Sequence, residues 1–388
     1  MGGAAFVLGA TWIVFFVAME AVIEVRPLWL NALGPILKVP YFAFRKDYVP
    51  DDKLVFVYRH TNMHWQTKMI GDLYRPEFNV PVEPFEYTVS NSSDGFRTNS
   101  LPPPHDVVVI GDSFVEMAED DGSTVSELLG EDLGTSVRNL GRGFYGPYQY
   151  LEVLKRFALA DNPRVVVFSF FGGNDFEDIL QYERWQQGGD YYAYPNLSQS
   201  GVFGRFVRAS REVFGLLLEG TRSFWVTPAH AALPSMLYRV RLGDREVPIA
   251  FGYWERPPSP AQQAALGRIV DEFRAFCLAR GIAIVFLYIP SAVHVYGRMI
   301  VAGPEHEYLT RVKSGDFDPS RDGFRSVLSA RGLPFVDLTE SFAAEARSGI
   351  LVFHPFDTHW NRHGRTIAAA ALAREIRKLS ALPQISSK

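Results

Sequence analysis

The sequence predicts an α/β protein, a doubly wound parallel sheet carrying one large insertion. Three observations point there. Val107-Val108-Val109-Ile110 is an unbroken apolar run of the kind buried on both faces in a parallel sheet. Four more runs rich in β-branched and aromatic residues alternate with helical periodicity from there to the C-terminus. Polar, turn-forming sequence follows the strands, where an open α/β sheet gathers its functional groups.

Composition sets the bounds. The 388 residues are 47% hydrophobic with a net charge of -4, which describes a globular chain and excludes a disordered or nucleic-acid-binding one. The single cysteine, Cys277, excludes an intrachain disulfide and reads as a small buried hydrophobe on a helix. No internal repeat is visible.

Taken in order, the chain opens with an uncharged apolar stretch from Gly2 to Met19, extended past Glu20 by Ala21-Val22-Ile23. It approaches the roughly 20 residues that cross a bilayer and lacks the basic start and small-residue cleavage site of a signal peptide. Residues 1–25 are therefore expected to be an uncleaved transmembrane anchor. Arg26, Lys38, Arg45 and Lys46 follow it, and the positive-inside tendency by itself would leave the bulk of the chain in the cytoplasm.

Residues 26–104 are rich in aromatics and prolines, with short alternating runs such as Leu54-Val55-Phe56-Val57-Tyr58, and are expected to pack on the main domain. Pro102-Pro103-Pro104 closes them. The main domain spans 105–380. Strands are predicted at 107–110, 137–140, 164–171, 282–289 and 334–338, and helices at about 123–133, 148–160, 261–280, before Gly332, and at 362–379. An insertion over about 177–260 breaks the rhythm. Its Trp185, Tyr191, Tyr192 and Tyr194 suit stacking on sugar rings, covering an acyl chain, or a small core of the insertion itself. Residues 381–388 form a tail.

The strand ends carry the chemistry. Gly111-Asp112-Ser113 follows the first strand, a glycine-rich turn through Gly141, Gly143 and Gly146 follows the second, and Gly172-Gly173-Asn174-Asp175 the third. His354-Pro355-Phe356-Asp357-Thr358-His359-Trp360-Asn361 stands near the end of the domain. These are the parts of an acyl-transfer site. A serine hydroxyl needs a base, which an imidazole supplies near neutral pH. A carboxylate fixes the imidazole tautomer, and backbone N–H groups with an asparagine amide suit an oxyanion. Each residue alone has a plainer reading: Ser113 as a helix cap, Asn174 as a turn former, His359 on the surface. Asp112 and Asp175 read as loop supports, and Tyr288-Ile289-Pro290-Ser291 as a cleft wall or a strand-ending turn.

In this order, the motifs resemble those of the SGNH (GDSL-type) hydrolases over about residues 91–380. The resemblance implies a flavodoxin-like sheet, Ser113 as nucleophile, His359 and Asp357 as its catalytic partners, and an oxyanion hole from the N–H groups of Ser113 and Gly143 with the Asn174 amide. Two details depart from the commoner family pattern. One residue, not two, separates Asp357 from His359, and this Asp-x-His-Trp spacing is similar to that of alginate O-acetylation proteins, although there it precedes the serine. The position of the oxyanion glycine, counted from Asn139, holds Phe144. The resemblance implies a membrane-anchored serine esterase or O-acyltransferase acting on acylated carbohydrate or another small ester, outside the cytoplasm in a bacterial periplasm. The alternative is a retired hydrolase fold serving as an accessory subunit of a membrane complex. A metal reading of His354, Asp357, His359 and His363, the last two at i, i+4 if helical, finds no further acidic or histidine cluster to complete it. No metal and no cofactor are expected.

Overall fold

The computed structural model describes residues 10–14, 48–58, 61–189, 191, 236–315 and 317–380. The chain divides into two compact units, residues 1–60 with 184–231, and residues 61–183 with 232–388. Within the first unit, β1 (Tyr48–Asp51) and β2 (Val55–Tyr58) form an antiparallel hairpin. Asp51 Oδ1 closes its turn by accepting the N–H groups of Lys53 (2.8 Å) and Leu54 (2.7 Å). Trp185 and Tyr191 are buried, which withdraws both rings from a ligand-stacking surface, while Tyr192 and Tyr194 lie outside the described residues. No helix among the described residues is long and apolar enough to cross a membrane. The anchor expected over 1–25 lies, apart from 10–14, outside them.

The second unit opens with an antiparallel hairpin of β3 (His64–Met69) and β4 (Phe85–Ser90). The α/β succession follows: β5 (Val107–Gly111), the one-turn helix α1 (Ser113–Glu116), α2 (Val125–Leu133), β6 (Val137–Gly141), α3 (Pro147–Arg156), β7 (Val165–Phe171) and α4 (Asp175–Gln186). A second hairpin, β8 (Met236–Leu242) and β9 (Arg245–Phe251), precedes α5 (Pro260–Leu278) and β10 (Ala283–Ile289). Then come α6 (Ala292–Tyr296), β11 (Ile300–Ala302), α7 (Glu307–Ser314), α8 (Pro319–Ser329), β12 (Val336–Asp337), α9 (Thr339–Arg347) and α10 (Arg362–Ser380).

Five strands pair in parallel in the order β12-β10-β7-β5-β6. Numbered among themselves they run 2-1-3-4-5, the flavodoxin-like order, with its switch point between β5 and β7. All residues of β5 and β7 are buried, as a sheet covered on both faces requires. β12 is shorter than its apolar pattern because it is an edge strand and Pro334 offers no N–H to a ladder. The alanines of α10, among them Ala368, Ala369 and Ala373, are buried against α2 and let the two helices approach closely.

A second, antiparallel sheet, β11-β8-β9, was not anticipated. β8 buries Tyr238, Val240 and Leu242 and exposes Arg239 and Arg241, a period-two pattern that sits inside the stretch read as irregular insertion. The hairpin β3–β4 and the chain after it are tied to the main sheet. Glu119 O accepts the Thr88 N–H (2.8 Å), Arg97 pairs with Asp121 (3.0 Å), and Asn99 Nδ2 donates to Val137 O (2.6 Å).

Candidate active site

β5 turns into α1 through Asp112, whose Oδ1 accepts the Phe114 N–H (2.9 Å) as the helix cap. Phe114 and Val115 are fully buried and hold the short helix down, leaving Ser113 half-buried at its first position. The Ser113 N–H, an orphan donor of the first turn, has no acceptor among the described residues. Asn139 on β6 braces α1 from the other side: its Nδ2 donates to Val115 O (2.7 Å) and Ser126 Oγ (2.8 Å).

The histidine is delivered by a loop pinched at its base. Phe353 and Trp360 form an isolated antiparallel bridge, and the His354 N–H donates to His359 O (3.2 Å). Trp360 is fully buried, donates Nε1–H to Phe114 O (3.0 Å) and meets the Phe114 ring edge-on at 5.4 Å. Trp360 thus fastens the loop to the helix that carries the serine. His359 Nε2 stands 2.7 Å from Ser113 Oγ, and His359 Nδ1 stands 2.6 Å from Asp357 Oδ1. Asp357 Oδ1 also accepts the His359 backbone N–H (2.9 Å). The two side chains therefore meet across a bend closed on the carboxylate, which is how a one-residue spacing suffices.

Sequence reasoning missed Asp72. Its N–H donates to Asp357 Oδ2 (3.1 Å), its Oδ1 accepts the Thr358 N–H (2.7 Å), and its Oδ2 accepts the Thr358 hydroxyl (2.8 Å). Gly71, at φ 121°, makes the approach possible: a Cβ there would stand 2.1 Å from Phe356 O. A Gly-Asp pair in a polar turn carries no signal of this kind, because the partner lies 285 residues away.

These contacts set the charges. Burial alone would lift the Asp357 carboxyl, but His359 and its hydrogen bonds bring it down to about 2. Burial alone would depress the His359 imidazole; the charge of Asp357, helped by Asp72 and Asp112, raises it to about 9. Asp72 is lifted to about 6 by burial and then by the Asp357 charge, and Asp112 to about 6 chiefly by burial.

The oxyanion side is only partly assembled. Gly172 and Gly173 bring Asn174 off the end of β7; a Cβ on Gly172 would stand 2.2 Å from Tyr288 Oη, so only glycine fits there. The Asn174 side chain makes no hydrogen bond among the described residues, and its Oδ1 is buried. Gly143 lies beside the serine, its missing Cβ 3.6 Å from Ser113 Cβ. Its N–H, expected to face an oxyanion, instead donates to Glu116 Oε2 (2.6 Å), while Glu116 Oε1 takes Arg142 (2.5 Å). Phe144, at the position that the sequence reading counts from Asn139 for the oxyanion glycine, adopts φ 66°, the left-handed backbone a glycine would take.

The remaining candidates have other work. Asp175 accepts from Tyr150 (2.8 Å) and from the Phe171 N–H (3.0 Å), so like Asp112 it supports its loop. His354 pairs with Glu119 (2.9 Å) and stacks on Phe85, and His363 pairs with Glu345 (2.9 Å). His359 precedes α10, so it shares no helical face with His363. Among the described residues no three His, Cys, Asp or Glu side chains are grouped to hold a metal. Tyr288 donates to Asp318 (2.9 Å) and Ser291 to Glu255, which commits the end of β10 to a buried network.

Residues 251–388 match a family model described as the SGNH hydrolase-like domain of the acetyltransferase AlgX. That match shows the SGNH-type resemblance over the part of the chain that holds Asp357 and His359; Ser113 and Asn174 precede it. No curated protein matches the chain. Similar solved structures include the α/β hydrolase LAE5 from the metagenome of Lake Arreo, Spain, at 16% identity and TM-score 0.37, covering 71% of this chain and 95% of that one. The lipase/acylhydrolase of Enterococcus faecalis gives 14% and 0.35, covering 70% and 95%. The acetylxylan esterase Axe2 of Geobacillus stearothermophilus gives 14% and 0.35, covering 74% and 99%.

Proposed function

We propose, from an SGNH-type domain with a serine, a histidine and an aspartate in hydrogen-bonded series at its sheet edge, that this protein is a serine esterase or O-acyltransferase. The observation that carries the reading is the 2.7 Å contact between His359 Nε2 and Ser113 Oγ, backed by Asp357 at 2.6 Å. Neutral His359 takes the Ser113 proton as Oγ attacks the acyl carbonyl. Asp357 holds the imidazole tautomer and stabilises the imidazolium. The oxyanion is met by the Ser113 N–H and the Asn174 amide. The imidazolium then protonates the departing alkoxide, leaving an acyl ester on Ser113. Water, deprotonated by His359, completes an esterase cycle, and a sugar hydroxyl completes a transfer.

The matched family description names an acetyltransferase, which favours a small acyl group; a carbohydrate acceptor is part of this proposal. Residues 1–25 serve in this reading as the membrane anchor, with the domain outside the cytoplasm; protection from protease in both intact cells and spheroplasts would refute that placement. The catalytic test is fluorophosphonate labelling with the modified residue located by mass spectrometry, beside turnover of p-nitrophenyl acetate and butyrate. Label on Ser113 and turnover lost in Ser113→Ala are expected. A second reading, a retired fold acting as an accessory subunit, draws on Glu116 occupying the Gly143 N–H. Absent labelling and turnover, with stable co-purification of a membrane protein, would favour it.

A further inference from the structure

The antiparallel hairpin β8–β9 reaches the serine site. At the end of β9 the Ala250 N–H donates to Pro355 O (2.8 Å), which joins the hairpin to the loop that delivers His359. Gly252 follows in close contact with Leu73, where a Cβ would stand 2.4 Å from Cδ2. Glu255, buried a little farther on, accepts the Ser291 hydroxyl and pairs with His294 (3.2 Å). The segment between Ala250 and Glu255 is therefore held at both ends, and Tyr253 lies on it.

Tyr253 is half-buried and meets both the asparagine turn and the histidine loop. A Cβ on Gly173, the residue before Asn174, would stand 3.1 Å from Tyr253 Cδ1 and 2.4 Å from Phe171 Cε1. The turn is thus packed against two rings, which themselves meet edge-on at 5.4 Å. The Phe171 ring also lies 4.0 Å from that of Phe114, so the contact continues to the helix that carries Ser113. The Asn174 side chain makes no hydrogen bond among the described residues, so its aim rests on the packing of its turn. The Tyr253 phenol is turned to the Thr358 hydroxyl, and the two residues line one narrow cleft. Thr358 commits its own proton to Asp72 (2.8 Å), so here the phenol is the donor. Burial and the charges of Asp72, Asp178 and Asp112 hold that phenol well above the usual tyrosine range, which keeps its proton in place. We propose that Tyr253 is a positioning residue for the serine reaction, its ring aiming Asn174 and its hydroxyl tying that turn to the His359 loop. The proposal rests on the catalytic reading above.

The test is a double-mutant cycle in the full-length protein with p-nitrophenyl acetate. Tyr253→Ala should lower kcat about 100-fold at unchanged KM, the loss expected when a reacting group shifts by about 1 Å. Tyr253→Phe keeps the ring and should lose about tenfold at most, the worth of one hydrogen bond. In an Asn174→Ala background the gap between these two variants should shrink to about twofold, because the ring acts through an amide that is gone. A gap of the same size in both backgrounds overturns the proposal, since a role in stability alone would give that. Wild-type kcat in Tyr253→Ala overturns it too. Tyr253→Leu replaces the alanine variant if that one does not fold. A second readout does not need turnover: the Asn174 side-chain amide signals of protein labelled with [15N]asparagine, identified through Asn174→Ala. These should move in Tyr253→Ala and hold in Tyr253→Phe, and signals unmoved in Tyr253→Ala overturn the proposal. Absence of Ser113-dependent turnover in the wild type overturns the catalytic reading instead, and moved Asn174 signals would still support the coupling.

Discussion

Replacing Asp72 separates what its charge does from what its hydrogen bonds do. The carboxylate accepts the Thr358 N–H and hydroxyl, and its charge is one of the influences that hold the His359 imidazole up at about 9. In Asp72→Asn the geometry survives: Oδ1 still takes the N–H, and Nδ2 donates to a hydroxyl that only has to rotate. The charge is gone. His359 must be neutral to accept the Ser113 proton, so kcat/KM for p-nitrophenyl acetate rises with pH through the His359 pKa and then levels. Removing a charge that raises this pKa moves the rising limb to lower pH, with the plateau kept. Below about pH 6 Asp72 is itself protonated and the two proteins should converge. In Asp72→Ala both acceptors are lost. Loosening the loop by about 2–3 kcal/mol, the worth of hydrogen bonds to a charged acceptor, lowers kcat/KM roughly 30- to 150-fold. A limb that does not move in Asp72→Asn, together with full activity in Asp72→Ala, would refute the coupling of Asp72 to the histidine.

Asn174→Ala should lower kcat for the same ester by about two to three orders of magnitude with little change in KM, the loss of one oxyanion donor. Phe144→Gly should leave stability to denaturant within about 1 kcal/mol of wild type, since relief of the left-handed backbone offsets the entropy of glycine, whereas Phe144→Val should be clearly destabilised. The Asp357–His359 pair should show in thermal stability, measured as the Tm difference between wild type and His359→Gln. Asp357 is depressed, so its contribution is present above its ordinary 3.8 and lost as pH falls through about 2. His359 is raised, so its contribution is full below its ordinary 6.5 and lost as pH rises through about 9. The difference should therefore peak between 3.8 and 6.5; a flat difference across the range would refute the pair's contribution.

The parallel sheet was legible because its strands are buried on both faces and spell themselves as Val107-Val108-Val109-Ile110 or the run from Val165 to Phe171, flanked by glycine turns. The serine–histidine contact was legible because motif order and strand ends together place both groups at one edge. What sequence hid is of two kinds. The β8–β9 hairpin carries a correct alternation, but it sits between long aromatic stretches and pairs with three residues, Ile300–Ala302, that no periodicity marks. Asp72 and the Glu116 contact to Gly143 arise from close approach of segments far apart in the chain, and a lone carboxylate in a turn looks the same whether it meets water or a neighbour's N–H. The bend that joins Asp357 to His359 was likewise hidden. Alternation along a strand-like segment puts both side chains on one side, but the structure closes the pair through the His359 N–H.

The clasp between Asp72 and Thr358 has a practical bearing on how the molecule can be cut. Every residue of the serine motifs lies after residue 105, and an expression fragment begun there would contain all of them. It would also leave Thr358 and Asp357 without the partners that the hairpin segment supplies from in front. Loss of activity in such a truncation would be an artefact of its boundary, and a fragment opening at Thr61 keeps the clasp together with the hairpin that carries it.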